Sequence, residues 1–364
     1  MKKVLFITNY ASPYRVWFYD ELGKTMDVTV LFSDRQELKT HRSRDWYVDS
    51  QGRFRVVQLH RRLLTVHSSD LCLDVISWLK KDFDAIVVCG YAYPTNILAM
   101  AWLKLHRIPF YMEVDGGLIR EDRGLRYRFK RQLIGAASRW ISSGSYTTKY
   151  LVHYGADGDR VDTYPFTSLW EADIAQNAPS PEQKQALRKK LGMEEEKIVL
   201  YVGRFTKPKG MDDLLHAAPA LDEDTGVYFV GGEPGPEHEE YCREHGLSHV
   251  HFVGFRKKEA LADYYRAADV LVLPTKSDVW GLVINEAMAS GLPVITTDRC
   301  VAGLELIRDG VNGYIVPVDD LQALKDSLCR LLHEDYAAMG RNALETIRPY
   351  TIENMAKAHE KILG

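Results

Sequence analysis

Short runs of β-branched and aromatic residues alternate with segments of helical spacing through the first half of the chain. Four such runs indicate buried strands, at residues 4–8, 28–32, 85–89 and 110–114. The segments between them, such as residues 16–24 and 97–106, repeat their apolar positions every three or four residues. This alternation predicts a parallel sheet that is covered by helices on both faces.

A second alternating series follows an interruption between residues 170 and 192. Ser180 and Gln183 form a capping-box pattern for a helix that ends near Gly192, so we place the domain boundary here. Five further strands are predicted, at residues 198–202, 227–230, 250–253, 270–273 and 293–296. The sequence therefore predicts an α/β protein with two Rossmann-like, doubly wound domains, at residues 1–175 and 190–349, and a final amphipathic helix.

Composition is consistent with two folded cores, since the 364 residues are 46% hydrophobic and 27% charged. The chain shows neither the segment order of a signal peptide nor a run of about 18 apolar residues, so no membrane-spanning helix is expected. Its five cysteines are widely spaced and form no C-x-x-C pair. This argues against a disulfide framework or a zinc site and favours a reducing, cytoplasmic location.

The net charge of −3 is unevenly distributed. Residues 1–173 contain 25 Lys and Arg against 20 Asp and Glu, a balance of +5, so the remaining residues carry −8. Much of the excess lies in one stretch: Arg120, Arg123, Arg126, Arg128, Lys130, Arg131 and Arg139. A solvated helix face explains it, and so does a surface that attracts anionic lipid or a phosphate-bearing acceptor. Nucleic acid is not expected, because no recognised binding module accompanies the charge.

The residues that directly follow each predicted strand are the candidates for function, because open α/β sheets bind ligands at the carboxyl ends of their strands. Gly203, Arg204 and Lys209 come after the strand at residues 198–202. The glycine permits close backbone approach, and two cations beside a helix amino terminus suit a diphosphate. A solvated turn with incidental cations is the alternative interpretation.

A second candidate site follows the strand at residues 270–273. Gly281 begins a helix, so the amides of Gly281, Leu282 and Val283 can face an anion. The carboxylates of Asp278 and Glu286 flank these amides and can hold sugar and ribose hydroxyls. Carboxylates near a helix start also serve as caps, which is the structural alternative.

These residues stand in an order that resembles the donor domain of the retaining GT-B glycosyltransferases of family four, the group 1 transferases. The resemblance covers residues 201–317 and rests on four sequence elements: Gly203-Arg204 with Lys209-Gly210, the acidic-x7-Glu motif of Asp278 and Glu286, the run EAMASGLPVI, and Glu305…Asp309-Gly310…Asn312-Gly313. It implies two Rossmann-like domains that face a central cleft, with residues 350–364 packing back on the first domain.

The resemblance also implies roles for individual residues. Arg204 and Lys209 would stabilise the departing diphosphate, and Asp278 would hold hydroxyls of the donor sugar. Donor contacts are implied for a further set: Gly203, Gly254, Phe255, Arg256, Gly281, Leu282, Val283 and Glu286. Among these, Glu286 would bind the ribose, and residues 254–256 would lie along the base.

The chain departs from the family at two places. Asp278 stands where the family usually has glutamate, which leaves the donor sugar open. Tyr14 and Arg15 lie in a loop where the family often has two glycines, and we expect them to contact the acceptor.

Asp115 and Gly116 follow the strand at residues 110–114, near the position where many relatives carry a histidine. We expect both to lie at the acceptor, with Asp115 binding the acceptor hydroxyl or receiving its proton. A turn aspartate before two glycines is an equal alternative.

The resemblance implies a retaining transfer from a nucleotide diphosphate sugar. We predict that a hexose or N-acetylhexosamine is moved, with UDP favoured over GDP, to a hydroxyl of a glycan or lipid-linked saccharide. No metal or other cofactor is expected, because the D-x-D triplets at residues 82–84, 157–159 and 222–224 lie far in sequence from the donor motifs. Surface-polysaccharide synthesis, with peripheral contact to the cytoplasmic face of the membrane, is a further expectation. Two alternatives stay open: a sugar-nucleotide epimerase of the same fold, and a non-catalytic protein that binds nucleotide sugars.

Overall fold

This computed structural model describes residues 1–34, 52–66 and 69–364, which divide into two compact units. The first unit is built on a parallel sheet. The unit contains Met1–Ser168 and Tyr350–Gly364. Its strands within the described residues are β1 (Lys3–Thr8), β2 (Asp27–Phe32), β3 (Arg55–Gln58), β4 (Arg62–Val66), β5 (Ser69–Cys72), β6 (Ala85–Cys89), β7 (Tyr111–Val114), β8 (Arg139–Ser142) and β9 (Val161–Thr163). The parallel sheet has the order β3-β2-β1-β6-β7-β8-β9, and β4 and β5 form a separate antiparallel pair.

Helices connect the strands of this sheet. They are α1 (Pro13–Leu22), α2 (Val75–Leu79), α3 (Pro94–Leu105), α4 (Gly124–Ile134) and α5 (Ser145–His153). The central strands are buried on both faces, as residues 4–7 of β1, all 0% exposed, illustrate. This explains why these strands have continuous apolar sequences rather than alternating ones.

The second unit, Leu169–Pro349, has a parallel sheet of its own. Its strands are β10 (Lys197–Val202), β11 (Thr225–Val230), β12 (Val250–Gly254), β13 (Val270–Leu273), β14 (Val294–Thr297) and β15 (Gly313–Val316). Its helices are α6 (Pro181–Leu191), α7 (Met211–Ala217), α8 (Pro236–Glu244), α9 (Lys258–Ala267), α10 (Leu282–Ala289), α11 (Val301–Leu306), α12 (Leu321–His333) and α13 (Tyr336–Ile347). The strand order β12-β11-β10-β13-β14-β15 is that of a dinucleotide-binding domain.

The predicted fold class is confirmed, because both sheets are doubly wound and parallel. All nine strands predicted from the sequence are present, and no strand end differs by more than two residues. The capping box also forms: the Gln183 amide donates to Ser180 Oγ at 3.3 Å, and the Ser180 amide donates to Gln183 Oε1 at 2.9 Å. The helix ends at Gly192 in a left-handed conformation, with φ 70°.

The chain between the two predicted domains belongs to the second unit. Our prediction ended the first domain at residue 175 and began the second at residue 190, whereas the second unit begins at Leu169. Asp269, 2% exposed, explains how α6 joins this unit. It accepts hydrogen bonds from Lys184 at 2.7 Å and Arg188 at 2.6 Å, both on α6, and from the Ile198 amide at 2.8 Å.

The last helix, α14 (Ile352–Leu363), belongs to the first unit and packs against α1. Thr351 caps its amino terminus by accepting the Asn354 amide at 3.2 Å. Ile352, Met355 and His359 lie on its buried face. The helix therefore brings one histidine from the end of the chain into the interior of the first unit.

Candidate functional site

The strand order of the second unit reverses between β10 and β13. At such a point the connections after the two strands leave toward opposite faces of the sheet, which opens a crevice at the carboxyl edge. The loop after β10 carries Gly203, Arg204 and Lys209, and the loop after β13 carries Asp278 and Gly281. The sequence-predicted donor residues therefore meet at the place where this fold binds ligands.

The two loops are locked together by close backbone contacts. Gly210 has φ 68°, and a Cβ at this position would lie 1.8 Å from the carbonyl oxygen of Pro274. The Thr275 hydroxyl and the Lys276 amide both donate to the Pro208 carbonyl oxygen at 2.8 Å. Only glycine permits this approach, and the contact sets the position of the neighbouring Lys209.

Lys209 forms an ion pair with Asp278 across the crevice. The Lys209 side chain is 24% exposed and that of Asp278 is 12% exposed, so the pair is open to solvent on one side. Arg204 is exposed and forms no salt bridge with any residue that the structure describes. The crevice thus offers one paired and one unpaired cation to an anion.

The turn before α10 is fixed on a neighbouring loop. The Asp278 amide donates to the Arg299 carbonyl oxygen at 2.9 Å, and the Ala302 amide donates to that of Trp280 at 2.9 Å. The Cys300 thiol donates to the same Trp280 oxygen at 3.0 Å, and burial raises the pKa of this thiol to about 12. The Cys300 side chain therefore serves as a neutral packing group beneath the turn.

Gly281, with φ 104°, begins α10 above this thiol. The first amides of a helix have no partner within the helix, so those of Leu282 and Val283 are available to an anion. Farther along α10, Glu286 accepts a hydrogen bond from the buried Tyr265 hydroxyl at 2.9 Å. Burial and the Glu286 charge hold the pKa of Tyr265 well above its usual value, so the tyrosine is the donor.

Glycines and exposed side chains follow the strands on the other side of β10. A Cβ on Gly231, whose φ is 121°, would lie 2.6 Å from the Gly203 carbonyl oxygen, so the ends of β10 and β11 approach closely. Gly254 ends β12, and Phe255, 57% exposed, and Arg256 follow it at the surface. A flat ring and a guanidinium group beside the crevice are available to a planar ligand.

In the first unit, Tyr14 and Arg15 lie on α1 rather than in the loop that we predicted, because Pro13 begins the helix directly before them, and Arg15 lies in the interior. It is 5% exposed, and its guanidinium group donates to Glu113 at 2.6 Å and to Asp115. Glu113 is 1% exposed, whereas the Asp115 side chain is 32% exposed. The structure thus brings together Arg15 and Asp115, both of which we predicted at the acceptor; contact with an acceptor stays a prediction.

Tyr14 and Gly116 border this cluster. Tyr14 is half-buried, with its ring 5.5 Å from that of Phe166 in an edge-to-face contact. Burial, together with the Asp115 charge, raises the pKa of the Tyr14 hydroxyl above its usual range. Gly116 is partly exposed directly after Asp115. Both residues therefore lie beside the carboxylate at the carboxyl edge of the first sheet.

Sequence reasoning missed three members of this cluster. Tyr164, 2% exposed, donates its hydroxyl to Asp115 at 3.0 Å, and His359 Nε2 lies 3.4 Å from Glu113 Oε1. Glu113 is the third, and it could have been found, because a carboxylate within a buried strand requires a cationic partner. No sequence signal marks Tyr164.

The described residues contain neither a group of side chains that could bind a metal ion nor a helix that could span a membrane. Across residues 1–34, 52–66 and 69–364, no three His, Cys, Asp or Glu side chains meet in a way that could hold a metal ion. Within the same ranges, no helix combines the length and apolar character needed to cross a membrane.

Solved glycosyltransferases of the GT-B type share the fold of this chain. Sucrose-phosphate synthase from Thermosynechococcus elongatus superimposes with a TM-score of 0.74, over 99% of this chain and 98% of its own, at 21% identity. HepE of Anabaena, solved in complex with UDP, gives a TM-score of 0.75 over 99% and 98% of the two chains, at 17% identity. At these identities the likeness concerns the fold, which is the GT-B fold.

The family model described as "Glycosyl transferases group 1" matches residues 183–346. This part of the chain belongs to the group 1 glycosyltransferases, and the family resemblance recognised in the sequence is confirmed.

Curated relatives carry a more specific name. The D-inositol 3-phosphate glycosyltransferase of Nocardia farcinica is 36% identical over 218 residues, which are 56% of this chain and 47% of its own. The protein of the same name from Mycolicibacterium smegmatis is 30% identical over 291 residues, 77% of this chain and 62% of its own. The chain thus spans about half the length of the curated relatives it matches.

Replacing Gly281 with alanine tests the packing of the turn on Cys300. The new Cβ would lie 2.6 Å from Cys300 Sγ on a backbone with φ 104°. We expect the free energy of unfolding in urea to fall by about 3 kcal/mol, from left-handed strain plus overpacking. Gly246→Ala is the matched control, because its φ is 65° and its Cβ would meet no atom within 4 Å. Its expected cost is about 1 kcal/mol, from strain alone. Equal losses in the two variants would show that the Cys300 contact relaxes freely.

Proposed function

We propose that the protein is a glycosyltransferase that moves a hexose or N-acetylhexosamine from a nucleotide diphosphate sugar to a hydroxyl of a glycan or lipid-linked saccharide. The observation that carries the proposal is the meeting of Lys209, Asp278 and the start of α10 at the switch point of the second sheet. Cations and free helix amides there match the charge that develops on a departing diphosphate.

The Lys209–Asp278 pair supports exchange with a ligand. The ammonium group of Lys209 is open to solvent on one side, so a diphosphate can take the place of Asp278 there and supply the negative charge that Asp278 provided. The released Asp278 carboxylate can then accept hydrogen bonds from hydroxyls of the donor sugar. Arg204 would add a second positive charge at the phosphate.

The remaining predicted donor residues fit the other parts of a nucleotide. We propose that Glu286 binds the ribose and that Phe255 and Arg256 lie along the base. UDP is favoured, in keeping with the UDP complex of the structural neighbour HepE. Because cations of the protein supply the positive charge, we propose a reaction that needs no metal ion or other cofactor.

Nucleotide binding tests the donor site. Thermal unfolding of the purified protein with UDP, GDP or ADP, each with and without magnesium, should show stabilisation by one nucleotide that does not depend on the metal. At a ligand concentration of 100 times the dissociation constant the gain is about 2.7 kcal/mol, which is readily measured. Lys209→Ala should abolish most of the gain, whereas Lys207→Ala, an exposed lysine of the same loop, should keep it.

Turnover assays distinguish a transferase from the two alternatives, an epimerase and a non-catalytic binding protein. A transferase consumes the sugar nucleotide only when an acceptor is present, and an epimerase converts it without an acceptor. A non-catalytic binding protein is stabilised by the nucleotide but does not turn it over. Arg204→Ala should lower kcat about 100-fold or more through lost stabilisation of the leaving group. Absence of stabilisation by any nucleotide in a folded sample would contradict the proposed donor site.

Product stereochemistry tests the retaining mechanism that we propose. The acceptor oxygen attacks from the face that the diphosphate leaves, so the anomeric configuration of the donor is kept. Proton NMR coupling constants of the anomeric centre in the product should match those of the donor. An inverted centre would rule out this mechanism while leaving the transferase activity in place.

The proposed acceptor is supported by the names of the relatives and by the basic stretch of the first unit. Relatives named for D-inositol 3-phosphate suggest a phosphorylated polyol, and the basic stretch of the first unit suits a phosphate. We propose a lipid-linked saccharide in surface-polysaccharide synthesis at the cytoplasmic face of the membrane. D-inositol 3-phosphate belongs in the panel of acceptors to be tested.

The surface of α4 supports peripheral membrane contact. Leu125 is 83% exposed and Phe129 56% exposed, one helical turn apart, and Ile119 is 45% exposed nearby in sequence. Exposed basic residues surround them: Arg120, Arg123, Arg126, Arg128 and Arg131. Lys130 and Arg139, by contrast, face Asp122 at 3.8 Å and Asp162 at 2.8 Å. Apolar side chains among cations favour an anionic lipid surface.

Vesicle binding tests this contact. The double variant Leu125→Glu, Phe129→Glu should bind vesicles that contain phosphatidylglycerol at least about tenfold more weakly, because it loses apolar burial and adds negative charge. Leu105→Glu is the matched control, since Leu105 is 79% exposed on α3. Equal binding of the double variant and the wild type would contradict the proposed surface.

A further inference from the structure

The carboxylate of Asp115 is held through only one of its two oxygens. Arg15 Nη2 donates to Oδ1, and the Tyr164 hydroxyl donates to the same Oδ1 at 3.0 Å. No hydrogen bond from any described residue reaches Oδ2. Both donors are buried, whereas the Asp115 side chain is 32% exposed. The carboxylate is therefore fixed on the protein side and has an oxygen left for a ligand.

Arg15 is itself fixed by the groups behind it. Glu113 Oε1 accepts from its Nη1 at 2.6 Å, and His359 Nε2 from α14 lies 3.4 Å from the same oxygen. The Cys89 thiol donates to the other Glu113 oxygen at 3.4 Å. Burial alone would raise the pKa of Glu113, but Arg15 and His359 outweigh it and lower that pKa. Glu113 thus stays ionised and keeps the guanidinium group in one orientation.

We propose that Tyr164 and Arg15 are positioning residues, which hold Oδ1 of Asp115 so that Oδ2 receives the proton of the acceptor hydroxyl. The inference rests on the proposed glycosyltransferase function. In the transfer, the acceptor O–H bond breaks and its proton goes to Oδ2, while the acceptor oxygen bonds to the anomeric carbon. The bond from that carbon to the diphosphate breaks, and its electron pair leaves with the nucleotide.

The electrostatic surroundings of Asp115 agree with this role. Burial raises the pKa of Asp115, Arg15 opposes the rise, and the Glu113 charge adds to it, so the pKa lies above its ordinary value. A raised pKa makes a carboxylate a better proton acceptor near neutral pH. The groups that act on Asp115 lie on several elements: Tyr14 and Arg15 on α1, Cys89 on β6, Tyr93 before α3, Glu113 on β7 and Tyr164 after β9. His359 on α14 acts on Glu113.

The test is the pH dependence of Tyr164→Phe, which removes the hydroxyl and keeps the ring. Since a donor to the ionised carboxylate lowers its pKa, its loss should raise the Asp115 pKa. Activity requires ionised Asp115 and is lost as the pH falls through that pKa. The acid limb of kcat/KM should therefore move up by about one pH unit, with about a tenfold loss on that limb.

Tyr154→Phe is the matched control, because its hydroxyl donates to a different carboxylate, that of Asp122, at 2.5 Å. It should not move the limb.

A direct titration separates this inference from the proposed function. In protein labelled with 13C at the aspartate carboxyl carbons, the Asp115 signal is identified by its absence in Asp115→Asn. Its midpoint should be higher in Tyr164→Phe than in the wild type, whether or not a substrate is known. An unchanged midpoint, or an equal loss of kcat/KM at every pH, would overturn the positioning role. If the midpoint is higher in Tyr164→Phe but the wild type transfers no sugar to any acceptor, the result counts against the proposed function. The positioning of Oδ1 by Tyr164 and Arg15 would still be supported.

Discussion

Parallel strand pairing is the constraint on which the arrangement of both units depends. A parallel strand cannot be reached through a tight turn, so the chain crosses back over the sheet, usually through a helix. The loops that follow the strands are thereby collected at one edge of each sheet. Lys209 and Asp278 are 69 positions apart in the sequence and meet because they follow β10 and β13, which are neighbours. The reversal of strand order between these two strands opens the space for a ligand between their loops.

Eight of the nine strands predicted from the sequence are interior to their sheets, the exception being the edge strand β12. The missed strands include the edge strands β3, β9 and β15, together with the short interior strand β8. Residues 198–201 of β10 are all 0% exposed, so selection for burial leaves an apolar run that is easily recognised. By contrast, β3 (Arg55–Gln58) is partly exposed at one edge of its sheet, and β9 (Val161–Thr163) at the other edge contains an aspartate. In such strands the backbone ladder, rather than the side chains, determines the structure, and a single sequence does not reveal it.

The two candidate sites differ in the same way. In the second unit, backbone geometry dictates residue type, and glycine is a visible signal: at Gly313, with φ 154°, a Cβ would lie 2.0 Å from the Val294 carbonyl oxygen. In the first unit, the site is made by side chains that meet in the interior from distant segments. In the sequence, His359 resembles any polar residue of an amphipathic helix. Only its spacing of four residues from Met355, which lies on the buried face, indicates that His359 is buried. Arg15 was expected to contact the acceptor from a loop, because the sequence does not show that Glu113 lies behind it.

The number of carboxylates that hold the cation explains why the ion pairs of the two units serve different roles. The Lys209 side chain is 24% exposed and is paired with a single carboxylate, that of Asp278, so an incoming anion can reach its ammonium group from the solvent side. Arg15, whose side chain is 6% exposed, is held by two carboxylates, and its pair with Glu113, whose side chain is 0% exposed, is a buried one whose loss of one partner costs about 3–5 kcal/mol. Because Glu113 keeps the guanidinium group in place, Arg15 does not turn away from Asp115 to follow a ligand. Arg15 is therefore suited to hold a neighbouring carboxylate in place, whereas Lys209 is suited to release one when an anion arrives.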